Sequence, residues 1–294
     1  MRVIARVIEV RRQDVQTARD IGDRRGVART AMLLTSVGAF TLTVHTNELF
    51  GWLSEAAEAH QDRAGVDEAY FRCLEIAVWS MLFRPEQARL RVPTVIQQMN
   101  ASIHQAPSDA AALLSAGQAL FHTRQGELSA AATAADSALS WLRQNLAMTQ
   151  PTGWLAFQGT SEPFLAIYRE ALSTNRDVAA AARCAKESVG LLRRYARGHA
   201  VYHARWEYFA GVLASLERRH DAARRHWESA LATAQRLSLA LDEGLARLAL
   251  AEAGGERRPE HLARARDIFT ARGASYFIDR VDTIATASVD RSGT

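Results

Sequence analysis

Lysine, cysteine and proline are all scarce in this sequence, and each shortage narrows its reading. Only one of the 36 basic residues is a lysine, Lys186. Arginine for lysine throughout reads as a GC-rich coding bias, not as selection for phosphate binding. The two cysteines, Cys73 and Cys184, stand apart with no partner motif. They read as reduced, half-buried thiols of a cytoplasmic protein. With six prolines and abundant Ala and Leu, the composition favours an all-helical chain. Alternating strand patterns are missing. The longest apolar run, Ala31 to Val44, is short and carries three threonines and a serine, so it reads as a buried helix and not a membrane span. The opening MRVIARVIEVRR has neither a continuous apolar core nor a small-residue cleavage site, so no secretory signal is expected.

What is present is a core. Hydrophobic residues make up 48% of 294 positions, enough for one or two domains or for one continuous repeat array, and too many for disorder. The formal net charge is +4, unevenly spread. Between Arg193 and His226, eight arginines face only Glu207, Glu217 and Asp221, which leaves the rest of the chain about neutral.

The stretch Arg205 to Leu237 reads as two short helices folded back on each other. Trp206, Phe209, Val212 and Leu216 recur at helical spacing on the first, and Ala223, Trp227, Ala230 and Ala234 on the second. ERRHD turns the chain between them. Gly211, Ala223, Trp227 and Ala230 follow a small, small, large, small order that suits a close helix contact with a bulky residue beside it. This spacing is similar to the tetratricopeptide repeat, and weaker versions recur along the chain.

Six or so helix pairs of about 35 to 45 residues predict an all-α fold. The expected architecture is an α-solenoid of tetratricopeptide-like pairs, a right-handed superhelix with first helices on the concave side. The whole of 1–294 reads as one array, looser over 1–150 and best matching over 164–287, where a C-terminal cap ends it. Residues 151–163, PTGWLAFQGTSEP, read as an irregular connection: a loop that docks Trp154 and Phe157, or a broken helix. Pro93 is expected to kink or shorten its helix. At the N-terminus, Val10, Val15, Ala18 and Ile21 form one face of a helix that lacks a pairing helix. Val3, Ile4, Val7 and Ile8 crowd the same end, which predicts self-association through Ile4, Ile8 and Val15, or docking onto an upstream domain.

Within the C-terminal third, Arg194-Tyr195-Ala196, Gly211, the Trp227 to Leu231 block, Asp242-Glu243-Gly244 and the Arg272-Gly273-Ala274 turn carry a further resemblance. Over about Leu191 to Arg280 the chain resembles the C-terminal tetratricopeptide-like region of large bacterial regulators. Those are class III adenylate or guanylate cyclases with an AAA ATPase module, and related kinases and transcription activators. The sequence carries no catalytic domain with metal-binding aspartates, no GxxxxGK[ST] phosphate loop and no C-terminal basic helix-turn-helix. The resemblance therefore implies the tail without the machine: a scaffold or sensor without catalysis or cofactor of its own.

Candidate sites divide by chemistry. His199, His203 and Glu207 lie at successive i+4 steps, a metal-like spacing, but Ala200 stands where a metalloprotease pattern needs Glu. Polar residues near a helix start are the preferred reading, and no metal is expected. The basic region Arg193–Arg225, with Tyr195, Tyr202 and Tyr208 nearby, could take an acidic ligand or nucleic acid. A solvated face is preferred, and nucleic acid is not the expected partner. For a ligand or peptide partner, Arg205 and Tyr208 are the best-placed contacts, with Tyr202 and Arg197 beside them. The strand-turn-helix elbow of a serine hydrolase is missing around every serine.

Overall fold

Helix follows helix in the computed structural model, which describes residues 2–60, 66–102, 108–146 and 153–286. Helix α1 spans Arg2–Asp20, α2 Arg24–Thr41, α3 Thr46–His60, α4 Val66–Leu82 and α5 Pro85–Ser102. Next come α6 at Ser108–Gln125, α7 at Leu128–Gln144, α8 at Gly153–Thr174 and α9 at Val178–Ala196. After a 3-10 turn at Ala200–Tyr202 follow α10 at His203–Leu216, α11 at His220–Leu237 and α12 at Ala240–Glu252. Helix α13 spans Arg258–Thr270 and α14 Ser275–Thr286. The described residues form no strand. Short connections such as Phe83–Arg84 and Glu217–Arg219 make each helix pack against the next. No described helix is long and apolar enough to cross a membrane.

Local chemistry sets these boundaries. Asp23 caps α2 by accepting the Gly26 N–H at 3.0 Å. Gly126 ends α6 in the left-handed region, where glycine carries no Cβ penalty. On α7 the alanine stripe Ala131, Ala135 and Ala138 is fully buried and lets the neighbouring helices approach. The α10–α11 pair approaches closely at Gly211 of α10, where an added Cβ would fall 2.3 Å from Trp227 Nε1 of α11. Ala223 and Ala230 are buried on either side of that indole. Both cysteines are free thiols, Cys73 buried and Cys184 half-buried.

Three expectations change. First, the connection expected to be irregular is helix: from Gly153 onward it belongs to one continuous α8, while 151 and 152 lie outside the described residues. Pro163 removes one helix hydrogen bond, but it sits in a helix whose neighbours impose the geometry. Gly159 lets α8 come within van der Waals reach of the α6 backbone, since a Cβ there would meet Ala116 O at 2.3 Å. Trp154 is buried and donates its Nε1–H to Ser36 Oγ at 2.9 Å. Pro93, likewise, lies exposed within α5, which runs on to Ser102.

Second, α1 is not unpaired. It packs along α2 with Ile8, Val15 and Ala18 buried, and Arg12 reaches Glu48 of α3 at 2.9 Å. The chain turns at Gly22 so that α2 covers the apolar face of α1. Ile8 and Val15 are thus used inside the chain and not offered to a second copy; Val7, Val10 and Ile21 are the exposed apolar residues. The side chains of Val3 and Ile4 lie outside the described residues.

Third, the early and late helices touch. Thr46 N–H donates to the Arg272 carbonyl at 2.9 Å, and Arg272 Nε–H donates to the Leu42 carbonyl at 3.2 Å. Arg84 pairs with Asp279 at 2.8 Å, and Ser275 Oγ–H donates to Gln87 at 3.1 Å. In an open repeat array each unit contacts only its neighbours. Here the start of α3 and the α4–α5 connection meet the α13–α14 turn and α14, so the helices close on themselves.

Candidate functional site

The helices that meet in this way line an open cavity of about 820 Å³. Its walls come from the even-numbered helices α4 to α14, with the start of α11 at one side. Along α8, Gln158, Glu162, Leu165 and Arg169 recur at steps of four and three residues, so one helical face carries them all into the cavity.

Beside the cavity lies a buried polar hub. The Arg205 guanidinium of α10 donates Nε–H to Asp242 of α12, Nη1–H to Gln158 of α8 and, at 3.2 Å, Nη2–H to the Phe40 carbonyl of α2. Arg205 and Asp242 are almost entirely buried. Burial pushes the Asp242 carboxyl up, and the guanidinium beside it pulls it back. Its second oxygen, Oδ2, is buried without a partner.

Along the walls, arginines and carboxylates are interleaved. Arg124 pairs with Glu162 at 2.6 Å and lies 3.7 Å above the Tyr276 ring. Only 4% of its side chain is exposed, and its Nε–H is buried with no acceptor. Arg280 pairs with Glu252 at 3.0 Å. Burial pushes the Tyr208 phenol up, so it stays a neutral donor at neutral pH. Arg169 is exposed, and Arg224 donates to the Gly254 carbonyl at 3.2 Å; among the described residues neither pairs with a carboxylate. Phe209, Trp227, Leu241, Leu245 and Phe277 supply apolar wall.

The residues singled out in sequence fall in different places. Tyr208 lines the cavity, as do Ala223 and Trp227, but Tyr208 is buried and not an exposed contact. Arg205 is a correction: its three hydrogen bonds are all internal, so it is not free to bind a partner. It sits on the non-packing side of its own pair, and closure of the array brings α2, α8 and α12 onto that side. Tyr202 is buried among Phe40, Phe157 and Tyr195. Only Arg197 is exposed. Gly211, Ala223, Trp227 and Ala230 meet in the α10–α11 contact, and Trp227 also donates to the Tyr208 carbonyl at 3.3 Å.

His199, His203 and Glu207 each have a separate neighbour. His199 stacks on Tyr195, His203 meets the Trp206 edge, and Glu207 accepts from His226 at 2.5 Å. Among the described residues no group of three His, Cys, Asp or Glu side chains could hold a metal. Seven of the eight arginines between Arg193 and Arg225 are exposed, and Arg205 is the one inside. Arg193 lies 5.5 Å from the Trp206 ring, which is half-buried.

Arg124, Glu162, Arg169 and Arg280 were not anticipated. The four-three spacing on α8 was available, but Gly159 and Pro163 break the usual helix signals over the same residues. No protein-family model and no curated protein matches this sequence.

Proposed function

We propose that this chain is a non-catalytic helical-repeat binding module, tetratricopeptide-like in its pairing. In this reading it is the sensor or regulatory region of a bacterial signalling protein of the cyclase–ATPase type. The observation that carries the reading is the cavity: alternate helices turn one face inward, and that face combines apolar wall with paired and unpaired charge. Such a mixture holds a ligand or a partner segment by burial and orients it by a few polar groups. A right-handed superhelix with first helices inside is consistent with the even-numbered helices lining the space. Binding is then relayed to an attached output domain through the contacts that close the array. A second reading, a transcription regulator that binds an acidic ligand through Arg193–Arg225, draws on the exposure of seven of those arginines.

The test is a graft. Placed behind the ATPase module of a cyclase–ATPase regulator, in place of that regulator's own repeat region, the chain should restore regulated output. Output identical to that of the tail-deleted regulator overturns the proposal. So does turnover of ATP or GTP by the chain alone that survives repurification and metal controls.

A further inference from the structure

We infer that the cavity binds a small amphipathic anion, an apolar body carrying one carboxylate or phosphate. The inference rests on the binding-module reading and names its ligand class. Four arginines, Arg124, Arg169, Arg224 and Arg280, face three carboxylates, Glu162, Asp221 and Glu252, leaving one positive charge in excess. Glu162 and Glu252 are each matched by an arginine, at 2.6 and 3.0 Å, so they do not repel an incoming anion as free carboxylates would. Asp221 is exposed, and His220 adjoins it at the same rim.

Two exposed guanidinium groups point to an acceptor brought by a ligand. Arg169 and Arg224 line the cavity, and neither makes an ion pair among the described residues. An oxyanion in the cavity would accept charge-assisted hydrogen bonds from them. The rest of the ligand is fixed by the wall: Phe209, Trp227, Leu241, Leu245 and Phe277 offer apolar and aromatic surface, not further donors. A volume of about 820 Å³ suits a drug-sized molecule and not a folded partner.

The experiment is calorimetric titration of the full chain with decanoate and with decyl phosphate, below their micelle concentrations, with decan-1-ol as the uncharged comparator. Tryptophan emission provides a second readout, because Trp227 lines the cavity. One anion per chain is expected, bound at least about tenfold more tightly than the alcohol, the usual value of a charge-assisted hydrogen bond. Whichever anion binds more tightly identifies the head group. The double variant Arg169→Gln with Arg224→Gln should weaken the anion about tenfold and leave the alcohol unchanged. Both residues are exposed, so their loss leaves the fold intact. Ala249→Phe, which fills the cavity, should abolish both.

Absence of binding by both anions overturns the inference, as does equal affinity for anion and alcohol, or an anion affinity indifferent to the double variant. A chain that binds no anion yet restores output in the graft loses this inference alone.

Discussion

Arg205 and Asp242 form an ion pair that is sealed from solvent and tied by further hydrogen bonds to α2 and α8. It is the point where four helices from both halves of the array meet. Removing one charge leaves the other buried and unpaired, which typically costs about 3–5 kcal/mol, whereas replacing both with apolar residues costs much less. Arg205→Met should therefore destabilise the chain strongly. The double variant with Asp242→Leu should recover a large part of that loss. Chemical denaturation of the single and double variants measures the coupling. Additive losses would mean that the two side chains do not act as a pair.

Glycine shows the close packing most directly. Gly211 and Gly190 both sit inside helices, but a Cβ at Gly211 would strike the Trp227 indole, whereas one at Gly190 would meet nothing within 4 Å. Gly211→Ala should destabilise by about 1–3 kcal/mol through overpacking. Gly190→Ala should stabilise by up to about 1 kcal/mol, by restricting the unfolded chain. Melting curves of the two variants check the pair. Changes of the same sign would remove the packing explanation.

The contrast between these sites also shows what sequence could supply. The face formed by Val178, Ala181, Ala185, Val189 and Leu192 marks α9 as a helix in sequence, and the Gly211–Trp227 spacing marks the α10–α11 pairing. Periodicity reports which face of a helix is covered, but not by what. Arg205 fell on the non-packing face of its own pair and so looked free. Its partners Asp242, Gln158 and Phe40 lie between 37 and 165 residues away, a separation no local pattern encodes. Closure was hidden for the same reason. It joins residues about 190 to 230 positions apart, through the Thr46 N–H to the Arg272 carbonyl, the Arg272 guanidinium to the Leu42 carbonyl, and Arg84 to Asp279, and no local pattern pairs them.

Acid should weaken the fold through His261. Its side chain is buried at the start of α13, and its Nδ1 has no partner. Burial, with Arg247 and Arg257 nearby, holds the imidazole below its usual range. In the unfolded chain it titrates near 6.5. As pH falls, the unfolded state takes up the proton first, so this contribution is complete above about 6.5 and is lost as pH drops toward the folded-state value. His261→Gln removes the titration. Its melting temperature should gain on that of the unmodified chain as pH is lowered from about 7.5 to 5. Parallel curves would show that another group dominates acid sensitivity.

Closure of the array hangs on Gly273, and Gly22 provides its control. Both hold positive φ, +72° at Gly22 and +70° at Gly273, so an alanine at either carries the same left-handed backbone strain, about 1–2 kcal/mol. They differ in surroundings. A Cβ at Gly22 meets nothing within 4 Å, whereas at Gly273 it would lie 2.6 Å from Thr46 Oγ1 and 3.0 Å from the His45 ring. That clash would push the α13–α14 turn off the α2–α3 connection and strain the bond from Thr46 N–H to the Arg272 carbonyl. Gly273→Ala should thus lower the melting temperature more than Gly22→Ala does, and it alone should enlarge the radius of gyration seen by small-angle scattering. An additional Arg84→Gln, which removes the ion pair to Asp279, should widen the difference. Equal losses in the two glycine variants, with unchanged radii, would mean that backbone strain accounts for both and that the seam tolerates the extra methyl group.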